Sequence, residues 1–290
     1  MLPQFELLMP ESLPEALEML ASRAPDVRPL AGGTNLIPDI RAGTHRPKAV
    51  VNVEGLSELK GIRRENGHVV MGSGVTLAEV LESDLIAEHG RPLQDAARVF
   101  ANPLVRNRAT VGGNLGNASP AADTAPPLLV LGAEVALATS DGSRWVPLHD
   151  FFVHVCDTVC EPGDLITAVR WEVPDAGSVG GFKKLSLRKA MAISVVSAAA
   201  QVTLDDEGRC EDVRVALGAV APTPVRAYEA EEMLRGERLE PRLIEEVRHV
   251  ACQAASCIDD VRSSAAYRER VASVLVRRLL TELASKEQDE

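Results

Sequence analysis

No stretch of this sequence approaches the roughly 20 consecutive apolar residues needed to cross a bilayer. The opening "MLPQFELLMPESLPEALEML" has no basic region ahead of an apolar run, so neither a membrane span nor a signal peptide is read, and a cytoplasmic protein is expected. Positive charge is also in deficit. Lys and Arg number 31 against 42 Asp and Glu, a net charge of -11, whereas nucleic-acid binding depends on neutralising phosphates with basic side chains. Nucleic acid is therefore excluded as the main ligand. The five cysteines, Cys156, Cys160, Cys210, Cys252 and Cys257, are odd in number and irregularly spaced, which fits reduced thiols and not a disulfide framework. Cys156 and Cys160 make only half of a metal site, with no second pair at ligand spacing. His45, His68, His89, His149, His154 and His249 are scattered, and no Ser/His/Asp or paired-carboxylate constellation is evident. No catalytic side chain and no metal ligand is expected.

What is present is apolar mass and pattern. With 46% hydrophobic residues over 290, the chain can fill the core of one large or two ordinary domains. Ser12 followed by Glu15 has capping-box spacing, and Ala16, Leu17 and Leu20 form the stripe of a first helix. "VRPLAGG" and "KAVVNV" read as strands around a small βαβ unit, and "HVVMGSGV" as a further strand after a turn at Glu65, Asn66 and Gly67. "EVALATSDGSRWVPL" predicts two strands joined by an Asp-Gly turn, and "DLITAVRWEVP" a half-buried strand. The Pro, Gly and Ser-rich "PDAGSVGG", residues 174–181, marks a boundary, giving domains over 1–176 and 177–290. Beyond it, "ISVVSAAAQVTL" and "CEDVRVALGAV" predict paired strands around "DDEG". Two amphipathic helices follow, lined by Leu243, Val247, Val250, Ala251 and Ala254 and by Val271, Val274, Leu275 and Leu279. The expected class is α+β in two parts.

Two small-residue loops stand out, "AGGTNL" at 31–36 and "TVGGNLGNASPAAD" at 110–123. Glycine lets a ligand approach the main chain, and successive freed N–H groups form a nest for anions, with a diphosphate as the natural occupant. Neither loop fits GxGxxG or a P-loop. An acid beside a diphosphate repels it, but beside a ribose hydroxyl it accepts a hydrogen bond, so Asp123 reads as a sugar or flavin-tail ligand.

"LAGGTNLIPDIRAG", "RNRATVGGNLGNASPAADTAPPLLVLGAEV", "FKKLSLRKAMAISVVSAA" and "VALGAVAPTPVRA" resemble, in this order and over nearly the whole chain, the FAD-binding or medium subunit of the molybdenum hydroxylases, the group of xanthine and carbon monoxide dehydrogenases. The resemblance implies a PCMH-type FAD-binding domain of two α+β subdomains, then a smaller C-terminal α+β domain, with FAD between them. It places Pro29, Leu30, Ala31, Gly32, Gly33, Thr34, Asn35 and Leu36 in a first diphosphate loop. Thr110, Val111, Gly112, Gly113 and Asn114 fall in a second, with Ala118, Ser119 and Asp123 following. Phe100, Ile166 and Lys183 fall where relatives contact the flavin or the adenine end. Lys183 is read either as a cation beside the flavin or as a solvated basic edge. Met191, Ala192 and Ile193 are read either as a border of the isoalloxazine or as ordinary buried strand.

By the same resemblance the partners are a large molybdenum-cofactor subunit and a small subunit with two [2Fe-2S] clusters, in a dimer of heterotrimers. Electrons would pass through the clusters to FAD and on to NAD, a quinone, oxygen or another carrier. The hydroxybenzoyl-CoA reductase branch adds a cluster in a cysteine-bearing insertion; this sequence has no such four-cysteine insertion, so flavin is the only redox centre expected on it. The alternatives are a cofactor-free assembly scaffold and a non-redox enzyme of related fold that binds a nucleotide diphosphate.

Overall fold

The computed structural model describes residues 2–188 and 192–286. Its first unit is a parallel sheet of β1 (Glu6–Leu8), β2 (Val27–Leu30) and β3 (Ala49–Asn52), ordered β1-β3-β2, with α1 (Leu13–Arg23) and α2 (Leu36–Ala42) as crossovers. Ala16, Leu17 and Leu20 of α1 pack with Val27, Ala49 and Val51 into one core. The capping box at its start is half made: Ser12 Oγ accepts from Glu15 N at 3.4 Å, but the Glu15 carboxylate accepts from Glu11 N at 2.7 Å and not from Ser12.

The second unit is an antiparallel sheet of β4 (Ile62–Glu65), β5 (His68–Gly72), β6 (Glu134–Thr139), β7 (Gly142–Pro147) and, further on, β10 (Leu165–Glu172), ordered β4-β5-β10-β6-β7. Asn66 and Gly67, at φ 49° and 79°, make the turn into β5, while Glu65, expected in that turn, ends β4 paired with His68. The β6–β7 turn differs from expectation. Thr139 pairs with Gly142, so Ser140 and Asp141 form the loop and Gly142 already belongs to the strand. Between β5 and β6 lie six short helices that the sequence did not announce: α3 (Leu77–Glu82), α4 (Asp84–His89), α5 (Arg91–Val99), α6 (Pro103–Arg106), α7 (Val111–Asn117) and α8 (Ala125–Val130). They bury Leu77, Val80, Leu93, Ala96, Val111, Leu115 and Leu128 against Val69, Met71 and Val169 of the sheet. A short α9 (Leu148–Phe151) and a small hairpin of β8 (Phe152–His154) and β9 (Asp157–Thr158) complete the unit.

The third unit is an antiparallel sheet, β11 (Ser178–Ser186), β12 (Ser194–Leu204), β13 (Cys210–Gly218) and β14 (Val225–Arg226), followed by α10 (Tyr228–Leu234), α11 (Pro241–Ala251) and α12 (Ala265–Lys286). β12 is covered on both faces. Val196, Ala198, Ala200 and Val202 meet α12 in one core, while Ala199, with Phe182 and Ala216 beside it, joins the core of the second unit. Small side chains are what a strand needs when α5 and α8 lie close on one side and α12 on the other. Among the described residues no helix is long and apolar enough to cross a membrane.

Candidate functional site

β2 ends at Leu30 and the chain turns through Ala31–Asn35 into α2, at the carboxyl end of the parallel sheet, where open α/β sheets present their ligand crevices. Pro29 and Leu30 pair with Val51 and Asn52, and Val53 N donates to Leu30 O at 2.9 Å. Gly33 holds φ 69°, a left-handed conformation that a side chain would strain. Ile37 N reaches back to Gly33 O and Asp39 N to Asn35 O. The amides of Gly32, Gly33, Thr34 and Asn35 donate to no group among the described residues. Four consecutive unspent N–H groups on half-exposed backbone can gather anionic oxygens without any cationic side chain.

The second loop is built differently. Residues 111–117, expected as bare loop, form α7, with Thr110 as N-cap accepting from Gly113 N at 3.0 Å. Val111 N donates to Val75 O, Gly112 N to Ser73 O and Asn114 N to Thr110 O, so the amides of 111–114 are already spent inside the protein. This corrects the expectation of a second nest. Tertiary clamping onto the turn after β5 holds a helix that three glycines in seven residues disfavour. Gly112 is there for space: a Cβ would stand 2.5 Å from the Ser73 Cβ. Gly32 likewise fits only because a Cβ there would lie 1.6 Å from Arg108 O, so the first loop abuts the residues just before the second. Arg108 is in turn forked onto Glu54, Nη1 to Oε1 at 2.5 Å and Nη2 to Oε2 at 2.9 Å. Gly113 and Gly116, three residues apart on α7, are exposed and add no side chain of their own to its surface.

Asp123 is not a free acceptor. Its side chain is 6% exposed, Oδ2 pairs with Lys184 Nζ at 2.6 Å and Oδ1 accepts from Ser194 Oγ at 2.5 Å. Burial pushes its carboxyl above the ordinary carboxylate value, against the pull of Lys184 and Ser194. Strand alternation therefore places Lys184 at this acid, and sends Lys183 to the opposite face, paired with Glu282 of α12. Lys183 stands on the edge strand β11 in an exposed ion pair, and Lys184 is the cation at Asp123 that the sequence reading missed. Asn114 Oδ1 accepts from Thr124 Oγ1 at 2.6 Å, and Ser119 Oγ from Ala121 N. Ala118, at φ 45°, ends α7, and its carbonyl accepts from Cys156 N. Ile166 is buried in β10 beneath Gly116, where a Cβ would meet its Cδ1 at 3.3 Å. Phe100 follows α5 at the margin of the second-unit core, its carbonyl accepting from Arg106 Nη1 at 2.7 Å. Ala192 and Ile193 precede β12, half-buried and exposed, and do not lie in it; Met191 falls outside the described residues. Among the described residues no cluster of His, Cys, Asp or Glu has metal-binding geometry.

A family model described as the FAD binding domain in molybdopterin dehydrogenase matches residues 3–175, and one described as the CO dehydrogenase flavoprotein C-terminal domain matches residues 182–283. The carbon monoxide dehydrogenase medium chain of Afipia carboxidovorans is 32% identical, with 94% of each chain covered. The 6-hydroxypseudooxynicotine dehydrogenase complex subunit alpha of Paenarthrobacter nicotinovorans is 31% identical over 96% of this chain and 94% of its own. Among solved structures, a chain of the Cu,Mo-CO dehydrogenase superposes with TM-score 0.94 at 31% identity, covering 98% of this chain and 99% of the other.

Proposed function

The chain belongs to the family of FAD-binding subunits of molybdopterin dehydrogenases, and is an oxidoreductase subunit of that kind; on that premise we propose that Pro29–Leu36 and α7 hold the FAD diphosphate. The observation that carries this is the run of four unspent amides from Gly32 to Asn35, pressed by Gly32 against the approach to α7. The donor set suits the group: neutral N–H groups take the phosphates, and Gly113 and Gly116 let a bulky ligand lie on bare backbone. In this reading the role of Val111–Asn114 is surface and not donation, because those amides are committed elsewhere. Asp123 keeps lone pairs beyond the two used by Lys184 and Ser194, and these remain for a flavin-tail hydroxyl. Ala118 and Ser119 border that tail, and Phe100 and Ile166 give the apolar margin.

The flavin, when bound, supplies the electron chemistry, while the chain supplies position and electrostatics. We assign the chain the role of electron exit, taking electrons from iron-sulfur clusters of a small subunit, downstream of a large molybdenum subunit, and handing them to an external acceptor. A dimer of heterotrimers is the assembly proposed. Similar identity to subunits of dehydrogenases named for unrelated substrates supports leaving substrate choice to another subunit. A scaffold without cofactor, or a non-redox diphosphate binder, is not favoured. The test is titration of the full chain with FAD, followed by flavin fluorescence. Gly33→Val, strained at φ 69° and crowded by Ile37 and Leu30, should weaken binding at least about tenfold, the loss of one or two charge-assisted hydrogen bonds. Unchanged affinity in a folded variant would remove the first loop from the site.

A further inference from the structure

Arg268 stands in the first turns of α12, its side chain 4% exposed, far along the chain from either loop. Its guanidinium donates from Nη1 to Val195 O at 2.6 Å and to Ala219 O at 3.1 Å, and from Nη2 to Asp260 Oδ1 at 2.6 Å. Its Nε is buried with no partner. A buried cation with an orphaned donor is a costly way to fill a core, and such a group calls for an explanation. Both carbonyls it holds lead to the same place. Val195 follows Ser194, whose hydroxyl donates to Asp123. Ala219, held at the left-handed φ of 61°, donates its amide to Pro120 O at 2.9 Å. Two relays therefore run from one guanidinium, across the contact between the third sheet and the second unit, and end three residues apart in the segment Ala118–Asp123.

We propose that Arg268 is a positioning residue for the FAD site, fixing Pro120 through the main chain of Ala219, whose carbonyl it holds and whose amide donates to Pro120 O, and fixing Asp123 through Val195 and Ser194. This rests on the FAD reading above. The planar fork suits the task, since it spans two carbonyls and a carboxylate at once, which the single ammonium of lysine does less well. Asp260 orients it from the loop before α12, and is itself fixed by the amides of Arg262 and Ser263 at 2.8 and 3.1 Å.

The experiment uses the full chain and measures FAD affinity together with the visible circular dichroism of the bound flavin, for the wild type, Arg268→Lys, Ser194→Ala and the double variant. Arg268→Lys should weaken FAD about tenfold, on the order of one hydrogen bond to a charged group, and alter the dichroism of the flavin. Because one relay passes through Ser194, the two losses should be less than additive in the double variant. A folded Arg268→Lys chain with wild-type affinity and dichroism would overturn the proposal, as would strictly additive losses. If Arg268→Lys does not fold, Ser194→Ala alone decides: it should change the dichroism, and a wild-type signal would overturn the relay. A wild-type chain that takes up no FAD would instead defeat the underlying reading, a separate outcome.

Discussion

Giving Gly32 a methyl group places it 1.6 Å from the Arg108 carbonyl oxygen, a fixed main-chain atom. Gly32→Ala should therefore destabilise the fold by about 3 kcal/mol, the upper range for overpacking, read as a fall in the denaturant midpoint. At Gly113 the nearest atom a Cβ would meet is Thr110 Oγ1 at 2.9 Å, the hydroxyl of a residue only 5% exposed that already accepts from Gly113 N. Gly113→Val should disturb this cap, at a cost of about 1 kcal/mol, and also weaken FAD, while Thr110→Val, which removes the cap without adding bulk outside, should cost about 1 kcal/mol and spare FAD affinity. The reverse pattern in the two variants would place the flavin elsewhere. Asp123 is a third case. Removing it as Asp123→Ala leaves Lys184, 5% exposed, without its counter-charge, for a loss of about 3–5 kcal/mol in chemical denaturation. An effect under about 1 kcal/mol, the range of exposed pairs, would mean that water reaches the pair.

At the scale of elements, the loop from Asp260 to α12 carries a pH dependence. Burial works to raise the Asp260 carboxyl, but the amides of Arg262 and Ser263 and the Arg268 guanidinium outweigh it and hold it below its ordinary value of 3.8. A depressed folded value means that stability is present above 3.8 and is lost as pH falls through the folded value. Wild type should lose stability below about pH 4 more steeply than Asp260→Asn; parallel acid profiles would contradict this. The sequence made α1, β2, β3, β12, β13 and the last two helices legible because each carries a run at one period, as in Ala16, Leu17 and Leu20 of α1, whereas the three residues of β1 carry too little pattern to be read. It hid α3–α8 because those helices are four to nine residues long, too short for a periodic signal. One cue was available: Thr76 and Glu79 have capping-box spacing and do form the full box at the start of α3. α7 had no cue, since its first turn is held by bonds from Val111 to Val75 and from Gly112 to Ser73, residues the sequence cannot bring near. Lys184 was hidden for a simpler reason. Choosing between two adjacent lysines requires the strand's phase, and one residue of slip exchanges the faces.

At the scale of the whole molecule, the division at residues 176 and 177 is a proposal with a mechanical consequence. Phe182, Ala199 and Ala216 lie in the same core as Leu93, Leu128 and Met71. A chain ended at 176 leaves the outer faces of α5 and α8 uncovered, and should bind a hydrophobic dye strongly and unfold with reduced cooperativity. A sharp transition with no dye binding would show that the first part is self-sufficient. The same contact would frame the proposed FAD site, with one margin from the loops of the first two units and the other from Lys184 and Ser194 of the third sheet, whose carbonyl neighbour Val195 is held by Arg268.

The central claim is that this chain carries FAD, and the most direct measurement is the visible absorbance of the purified full chain, alone and after added FAD, with the released cofactor identified. The account predicts bands at about 370 and about 450 nm from a protein-bound flavin, with FAD released on heating. A chain that stays colourless after incubation with FAD and desalting would contradict it.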